Sequence, residues 1–410
     1  MDRYVCAFRG RRDYYQVPLA LAETGLLDEF ITDAYASSWL QAAAGALPDR
    51  WREKILSRNT PGIPAHRVRC LWGTTAVEHM RHRLGFAPSV TFAKLDGNFS
   101  MAAARRAAEQ RAHLFLYSSY AWEAFVARYP HTPHKAMFQY HPHPAFERCI
   151  LMDDYRRYPV VADSFAEESG EHLDERLRSR SSSAWKHADL IFCASTFTKR
   201  SLLDAGAAES LCRIVPYGID TPEQEREAPA PDTFHALFVG SGNQRKGLHH
   251  LILAWRKARL RKDSLLTLVC RTIDRGIERM IADTPRVALV RGLSRDELAR
   301  AFRVSTLFVM PSLVEGFGQV YLEALAHGCP VLGTPNTGLP DLGGEVNGIY
   351  LVEPGNVDEL TARLEWLQEH LPGNNDIRTR AARGAGKFSW RRFRDDLTNA
   401  ITDNAQPTAA

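Results

Sequence analysis

Two glutamates near the C-terminal third lie in a segment whose residue types could bind a phosphorylated sugar. Residues 311–318 read Pro-Ser-Leu-Val-Glu-Gly-Phe-Gly, so Glu315 falls inside a turn, and Glu323 follows after seven intervening residues. The apolar run before the turn predicts a strand, and the glycines on either side of Phe317 predict the start of a helix. The N–H groups at such a helix start attract a phosphate. Two carboxylates so placed could accept hydrogen bonds from hydroxyls at both ends of a nucleotide sugar.

This motif resembles that of the retaining glycosyltransferases of family 4, which have the two-domain GT-B fold. The resemblance implies that Glu315 contacts hydroxyls of the donor sugar and that Glu323 contacts the nucleotide ribose. It also implies that the amides of Gly316, Phe317 and Gly318 meet the diphosphate and the sugar. The alternative is an ordinary buried strand–helix unit that carries two exposed glutamates.

A second glycine-rich turn carries two cations. The sequence from Gly240 to residue 247 reads Gly-Ser-Gly-Asn-Gln-Arg-Lys-Gly, and cations at such a turn could neutralise the charge that grows on a leaving diphosphate. The resemblance implies an arginine directly after the glycine and a lysine five residues later. Lys246 matches the lysine, Ser241 stands at the arginine position, and Arg245 is the substitute, although adjacent side chains diverge at a helix start. The alternative for both cations is a solvated helix N-terminus.

Donor recognition is expected to extend to the end of another strand. Main-chain atoms near Leu293 correspond to the family position that meets the nucleotide base. Backbone contacts leave little trace in sequence, so UDP, GDP and ADP stay open as the donor base. All of these loops follow the carboxyl ends of predicted strands, where open α/β sheets bind ligands.

Two histidines follow a strand in the first half of the chain, within Tyr-His-Pro-His-Pro at residues 140–144. The resemblance makes His141 the candidate to contact the transferred sugar, with His143 as runner-up. A metal pair is a weaker alternative, because no cysteine or carboxylate cluster accompanies it. The nearby Asp153-Asp154 pair is interpreted as a helix start.

The loop after the first predicted strand is basic and aromatic. It reads Arg-Gly-Arg-Arg-Asp-Tyr-Tyr from residue 9 to residue 15. Gly10, Arg11 and Arg12 are predicted to form the acceptor side of the cleft and to favour a polar or anionic acceptor, such as a phosphorylated or lipid-linked sugar. The alternative is a solvated basic loop.

Composition narrows the class of protein. The chain has 410 residues, 45% of them apolar, which favours two domains with full-sized cores. A formal charge of +4 without a long basic run argues against a nucleic-acid partner. Seven scattered cysteines indicate reduced core residues in the cytoplasm. The absence of a signal peptide or an apolar run of membrane length predicts a cytoplasmic protein, either free or in peripheral contact with the inner face of the membrane.

Apolar runs alternate with helical stretches along the chain, which predicts parallel sheets wrapped by helices. A stretch rich in proline and glutamate at residues 221–231 is interpreted as the interdomain linker. Together with the resemblance, this predicts an α/β protein of GT-B type with two Rossmann-like domains facing a cleft. The predicted parts are an acceptor-binding domain (1–218), a nucleotide-sugar-binding domain (219–385) and a C-terminal helix with tail (386–410) that crosses back to the first domain. The strand predictions are 4–8, 30–34, 68–72, 113–117, 135–140, 190–194, 213–216, 234–240, 265–270, 286–291, 306–310, 330–334 and 349–352.

The resemblance implies transfer of a sugar from a nucleotide-diphosphate donor to an acceptor hydroxyl with retention, without a metal or other cofactor, in polysaccharide, glycolipid or glycoconjugate biosynthesis. Two alternatives stay open. One is a non-catalytic homologue that binds a nucleotide, which the serine at position 241 favours. The other is an epimerase or a phosphorylase on the same fold.

Overall fold

The computed structural model describes residues 3–37, 55–84, 88–169, 175–220 and 231–405, together with residues 41, 44 and 52. The proposed linker lies almost wholly outside the described residues. Within the described part, no helix combines the length and apolar character needed to cross a membrane. All seven cysteines are free. Cys149 is exposed and Cys70 is half-buried, so the expectation of core cysteines is wrong for Cys149.

The N-terminal domain is built on a sheet of seven parallel strands in the order β3-β2-β1-β4-β5-β6-β7. The central strands β1, β4, β5 and β6 are almost wholly buried and mainly apolar, as is typical of parallel sheets, whereas the edge strands β3 and β7 are partly exposed. Their bounds are β1 Tyr4–Ala7, β2 Leu27–Thr32, β3 Val68–Cys70, β4 His113–Tyr117, β5 Lys135–Gln139, β6 Leu190–Cys193 and β7 Cys212–Ile214.

The C-terminal domain is built on a sheet of six parallel strands in the order β10-β9-β8-β11-β12-β13. Its strand order reverses between β8 and β11, and ligands bind outside the carboxyl ends of the strands at such a point. Both motifs singled out in the sequence follow these two strands. The bounds are β8 His235–Val239, β9 Leu265–Val269, β10 Val287–Val290, β11 Leu307–Val309, β12 Val331–Gly333 and β13 Ile349–Leu351.

All thirteen predicted strands are present. The largest difference in position is that β2 begins at Leu27 rather than at residue 30. The described α-helices cover the faces of the two sheets. They are α1 Gln16–Glu23, α2 Trp72–Arg83, α3 Pro88–Gln110, α4 Trp122–Val126, α5 Pro144–Arg157, α6 Ala162–Glu168, α7 Glu175–Ser183, α8 Thr196–Asp204, α9 Leu248–Lys257, α10 Arg275–Ala282, α11 Arg295–Val304, α12 Gln319–Ala326, α13 Leu339–Leu342, α14 Val357–His370, α15 Asn375–Ala385 and α16 Trp390–Ala405.

The last helix, α16, crosses back to the N-terminal domain as the sequence predicted. The side chain of Ser389 accepts a hydrogen bond from the N–H of Arg392 and so caps the start of the helix. Arg394 donates to Glu23 at 2.7 Å and to Gln16 at 2.7 Å, both on α1. The ring of Phe393 packs 5.9 Å from that of Phe138 on β5. Helix α16 therefore fastens the end of the chain to the first sheet.

Residues 144–168, here called the crossover segment, connect β5 to β6 of the first sheet but pack against the second domain. Ser164 donates its N–H to Asp274 at 2.7 Å, and its hydroxyl accepts from the N–H of Gln244 at 3.1 Å. A Cβ added to Gly276 would lie 2.9 Å from the carbonyl carbon of Val160. The crossover segment is thus the part of the N-terminal domain that supports the loop after β8. Leu151 and Phe165 of the segment join a small apolar cluster with Phe197, Leu313 and Val314.

Candidate active site between the two sheets

Glu315 lies where the two domains meet, in the loop that leads from β11 to α12. The residue is 8% exposed, and its N–H donates to the carbonyl of Asn336 at 3.0 Å. The carboxylate forms an ion pair with the Nζ of Lys246, and it accepts from Nη1 of Arg245 at 3.2 Å. Burial alone would raise the pKa of Glu315, but the two cations outweigh burial and lower it. Glu315 is therefore ionised at neutral pH.

Arg245 and Lys246 both reach Glu315, because they precede the helix rather than begin it. Helix α9 starts at Leu248, after Gly247, which has a φ of +67°. A Cβ at Gly247 would lie 2.8 Å from the carbonyl carbon of Pro311, so the close approach of the two loops requires glycine. The expectation that adjacent side chains diverge is wrong here, since the turn holds both cations towards the cleft.

Two glutamates of the crossover segment complete the cluster around Arg245. Its Nε lies 3.4 Å from Oε1 of Glu168 and 3.9 Å from Oε1 of Glu147. Burial raises the pKa of Glu147 to about 7 against the opposing effect of Arg245, and burial also raises the pKa of Glu168. Glu168 further accepts from the side-chain amide of Asn243. Neither glutamate was predicted from the sequence, because both belong to no motif and reach the site only through packing of one domain on the other.

His141 lies beside this cluster, at the end of β5. Burial, together with the nearby Arg245, lowers its pKa to about 3, so the imidazole is neutral at physiological pH. Its Nδ1 is buried and has no hydrogen-bond partner among the described residues. The runner-up, His143, is instead engaged by the carbonyl of Ser182, 2.9 Å from its Nε2. The structure thus places His141 at the cleft and gives His143 a contact within the N-terminal domain.

The turn from Gly316 to Gly318 is held by the N-terminal domain. The hydroxyls of Ser195 and Thr198, at the start of α8, both donate to the carbonyl of Gly316, the second at 3.0 Å. Phe317 is buried and packs edge-on against Tyr217 with ring centroids 5.6 Å apart. Gly318 has a φ of +82° and is the N-cap of α12. These contacts fix the turn whose amides were expected to meet a diphosphate.

Gly316→Ala is expected to lower the free energy of unfolding by about 1–3 kcal/mol or more. The new Cβ would fall on the carbonyl oxygen of Tyr140 and lie 2.8 Å from its carbon, and backbone atoms cannot swing aside as a side chain can. Denaturant unfolding monitored by circular dichroism measures the change. The matched control is Gly344→Ala, where nothing lies within 4 Å of the added carbon. Equal stability of the two variants would contradict the close approach of Gly316 and Tyr140.

The other predicted donor-side residues surround the cluster. Glu323 is half-buried on α12, and burial raises its pKa against the nearby Arg295. Gly240 directly follows β8 and donates its N–H to the carbonyl of Val269 at 3.1 Å. Ser241 is exposed. Leu293 is half-buried in the loop after β10. Neither Ser241 nor Leu293 joins the ionic cluster.

The three predicted acceptor-side residues have different surroundings in the structure. Gly10 has a φ of +82° and donates its N–H to Asp33 at 2.9 Å. Arg11 is exposed and lies over the ring of Tyr14 at 4.6 Å. Arg12 instead turns towards the cleft, and its guanidinium lies 4.0 Å from the ring centroid of Tyr140.

Arg12 sits among aromatic rings. Tyr117 and Tyr120 lie 5.1 and 5.9 Å from its guanidinium, and its Nε is buried without a hydrogen-bond partner in the described part of the chain. The next three residues, 13–15, all have positive φ, from 45° to 65°. Such strain is retained where the surrounding structure fixes it, and the Asp13 carboxylate accepts from Tyr217 at 2.9 Å. The result is a fixed cation next to Tyr140 and His141.

The cleft thus brings together one ionised carboxylate, two cations and a neutral imidazole. The cations face a helix N-terminus and a glycine turn, so they could hold a diphosphate. The carboxylate could accept from sugar hydroxyls. Arg12, on the opposite wall, could hold an anionic or polar second substrate.

A known family of proteins matches most of the C-terminal domain. Residues 233–370 match the family model described as "Glycosyl transferases group 1". An MMP alpha-(1->4)-mannosyltransferase of Mycolicibacterium hassiacum is 31% identical over 212 residues, or 49% of this chain and 51% of the relative. A D-inositol 3-phosphate glycosyltransferase of Paenarthrobacter aurescens is 30% identical over 255 residues, or 57% of this chain and 61% of the relative. The matches thus span about half to three-fifths of the length of these curated relatives.

Solved structures resemble the whole chain. Sucrose-phosphate synthase from Thermosynechococcus elongatus superposes with a TM-score of 0.68 at 17% identity, covering 98% of this chain and 99% of that one. Anabaena HepE in complex with UDP and glucose superposes with a TM-score of 0.60 at 15% identity, covering 98% of this chain and all of the other. These likenesses confirm the predicted fold, which is α/β of GT-B type.

Proposed function

We propose that this protein is a retaining glycosyltransferase that moves a sugar, most simply a hexose, from a nucleotide-diphosphate donor to an acceptor hydroxyl. The observation that carries the proposal is the buried cluster of Glu315, Arg245 and Lys246 at the point where the strand order of the second sheet reverses. The family match over residues 233–370 supports it. The proposal includes a place in family 4 and a role in polysaccharide, glycolipid or glycoconjugate biosynthesis.

Lys246 and Arg245 would bind the diphosphate and neutralise the charge that grows on it as the glycosidic bond breaks. Arg245 takes the role of the arginine expected at position 241, because Glu168 and Glu147 hold its guanidinium in the cleft. A diphosphate would compete with these carboxylates for the same cations. Donor binding is therefore expected to loosen the contact between the crossover segment and the loop after β8.

Glu315 would accept from hydroxyls of the transferred sugar and hold it in orientation. His141 would contact the same sugar. Because its imidazole is neutral, it would add no positive charge beside the anomeric carbon, which becomes positive in the transition state. The acceptor hydroxyl would attack from the face that the diphosphate leaves, without a protein nucleophile and without a required metal or other cofactor. The turn from Gly316 to Gly318 would contribute amides to the diphosphate, and Glu323 would bind the ribose.

The acceptor is proposed to be a sugar or a lipid-linked sugar that carries an anionic or polar group next to Arg12. Cation–aromatic contacts hold the guanidinium in place, and its Nε has no other partner among the described residues. One relative is a D-inositol 3-phosphate glycosyltransferase, which supports a phosphorylated acceptor. We place the reaction in the cytoplasm, with peripheral contact to the inner face of the membrane where the acceptor is lipid-linked.

Calorimetric titration with UDP, GDP and ADP, with and without added Mg²⁺, tests the donor site. We expect micromolar binding of one nucleotide that does not depend on Mg²⁺. Glu323→Ala should weaken that binding by about 10–100-fold, because charged hydrogen bonds contribute about 1.5–3 kcal/mol each. The matched control is Glu369→Ala, which removes an exposed glutamate that pairs with Arg261 on the surface.

The outcomes separate the alternatives. No binding of any of the three nucleotides would overturn the proposed donor site. A second outcome is that the protein binds a nucleotide but consumes no nucleotide sugar when a broad panel of acceptors is present. That outcome would favour a non-catalytic homologue, an interpretation that the serine at position 241 supports. Conversion of the donor without an acceptor would favour an epimerase, and activity with inorganic phosphate alone would favour a phosphorylase.

A further inference from the structure

Three potential metal ligands converge behind the loop after β8, on the interface between the crossover segment and α9. Nε2 of His249 lies 3.1 Å from Oδ2 of Asp154, and Nε2 of His250 lies 2.8 Å from Oδ1 of the same carboxylate. The candidate ligand atoms of the three residues all lie within 4.8 Å of one another. The sequence interpretation of Asp153-Asp154 as a helix start is wrong, because α5 begins at Pro144 and Asp154 lies in its last turn.

All three side chains are removed from solvent. Asp154 is 6% exposed, His249 is 0% exposed and His250 is 1% exposed. Among the residues that the structure describes, neither ring nitrogen of His250 has a hydrogen-bond partner, although its Nε2 lies 2.8 Å from Oδ1 of Asp154. A buried polar group without a partner costs about 1–3 kcal/mol. A ligand shared by the imidazole and the carboxylate would satisfy both.

We propose that Asp154, His249 and His250 bind a divalent transition-metal ion of the zinc type. Two imidazoles and one carboxylate are a ligand set that such ions prefer, whereas Mg²⁺ and Ca²⁺ prefer oxygen ligands. The site is distinct from the proposed transfer centre, and no step of the transfer passes through it. It does not depend on the proposed function.

The surroundings of the carboxylate resemble those of a metal ligand. Gln244 donates its side-chain amide to Oδ2 of Asp154 at 2.8 Å and to the carbonyl of Leu151 at 2.7 Å. Hydrogen bonds of this kind orient ligating carboxylates in metal sites. The ring of Tyr158 packs 4.8 Å from that of His250 and closes the site on another side.

A metal ion here would join the two domains. Asp154 belongs to the N-terminal domain through α5, whereas His249 and His250 belong to the first turn of α9. That helix directly follows the turn that carries Arg245 and Lys246. The ion would therefore brace the cationic loop against the crossover segment and raise the thermal stability of the contact between the domains.

Zinc titration of the full chain, after removal of bound metal with a chelator and dialysis, tests the site. We expect one Zn²⁺ per chain by calorimetry, a rise in Tm on addition of Zn²⁺, and visible absorption bands on substitution with Co²⁺. Residues that only hydrogen-bond to metal ligands contribute about 10–100-fold to metal affinity. Asp154→Asn and His250→Gln remove ligands themselves, so each should weaken Zn²⁺ binding at least about 100-fold. The matched control is His370→Ala, which removes an exposed histidine on α14 and should leave the affinity unchanged.

If a variant does not fold, Zn²⁺ titration of the unaltered chain still tests the proposal. Absence of Zn²⁺ binding by the folded, chelator-treated chain would overturn it and leave Asp154 as a hydrogen-bonded partner of the two imidazoles. Zn²⁺ binding that survives in both folded ligand variants would also overturn it, since the ion would then lie elsewhere. Folding of each variant is checked by circular dichroism.

Discussion

Lys246→Ala is expected to lower kcat by about 10²–10³-fold, the range found when one preorganised group that stabilises developing negative charge is removed. In the structure the ammonium is held against Glu315 in a largely buried site, so its position is fixed before the donor binds. In the proposed reaction, negative charge on the diphosphate increases as the sugar leaves, so the lysine would stabilise the transition state more than the bound donor. We expect a much smaller rise in the KM of the donor.

Steady-state kinetics with the donor identified by nucleotide titration separate the two parameters. Lys257→Ala is the matched control, because this lysine ends helix α9, which follows the turn that carries Lys246, and its side chain is 58% exposed and pairs with Asp358. It should leave both parameters unchanged. If kcat of Lys246→Ala is unaltered, or if only the KM of the donor rises, the lysine takes no part in the chemical step and serves only in binding.

Most of the architecture could be predicted, because parallel strands buried on both faces leave continuous apolar runs. The run His-Ala-Leu-Phe-Val of β8 is an example, bounded by a glycine turn that the sequence also shows. The sequence also predicted that Glu315 lies in a turn between a strand and a helix, because the apolar run and the glycines around it are local signals. Such signals are local, so they survive in a single sequence.

What could not be predicted depends on contacts between distant parts of the chain. Glu147 and Glu168 lie in ordinary helices, and only the packing of the crossover segment on the second domain brings them to Arg245. Asp154 likewise lies 95 positions before His249, the first of the two histidines it meets. The direction of Arg245 depends on the left-handed conformation of Gly247, which no neighbouring residue type specifies.

Glu315→Gln is expected to lower kcat by about 10²-fold or more while diphosphate binding becomes tighter. The amide keeps the size of the side chain but loses the negative charge that, in the proposed reaction, would orient the sugar and lie near its developing positive charge. The same change leaves Arg245 and Lys246 without their shared partner. A nucleotide diphosphate would then no longer compete with this carboxylate for the two cations, so its affinity should rise.

Stability and binding measurements separate this role from a merely structural one. Removing one partner of a buried ion pair costs about 3–5 kcal/mol, so Glu315→Gln should unfold at lower temperature without ligand. Addition of the nucleotide should restore much of the loss, because its phosphates supply the missing negative charge. Glu345→Gln, which removes an exposed charge paired with Arg363, should change neither quantity. If Glu315 only supported the turn, Glu315→Gln would weaken nucleotide binding and lower stability together. The combination of tighter nucleotide binding and lower kcat would then not be observed.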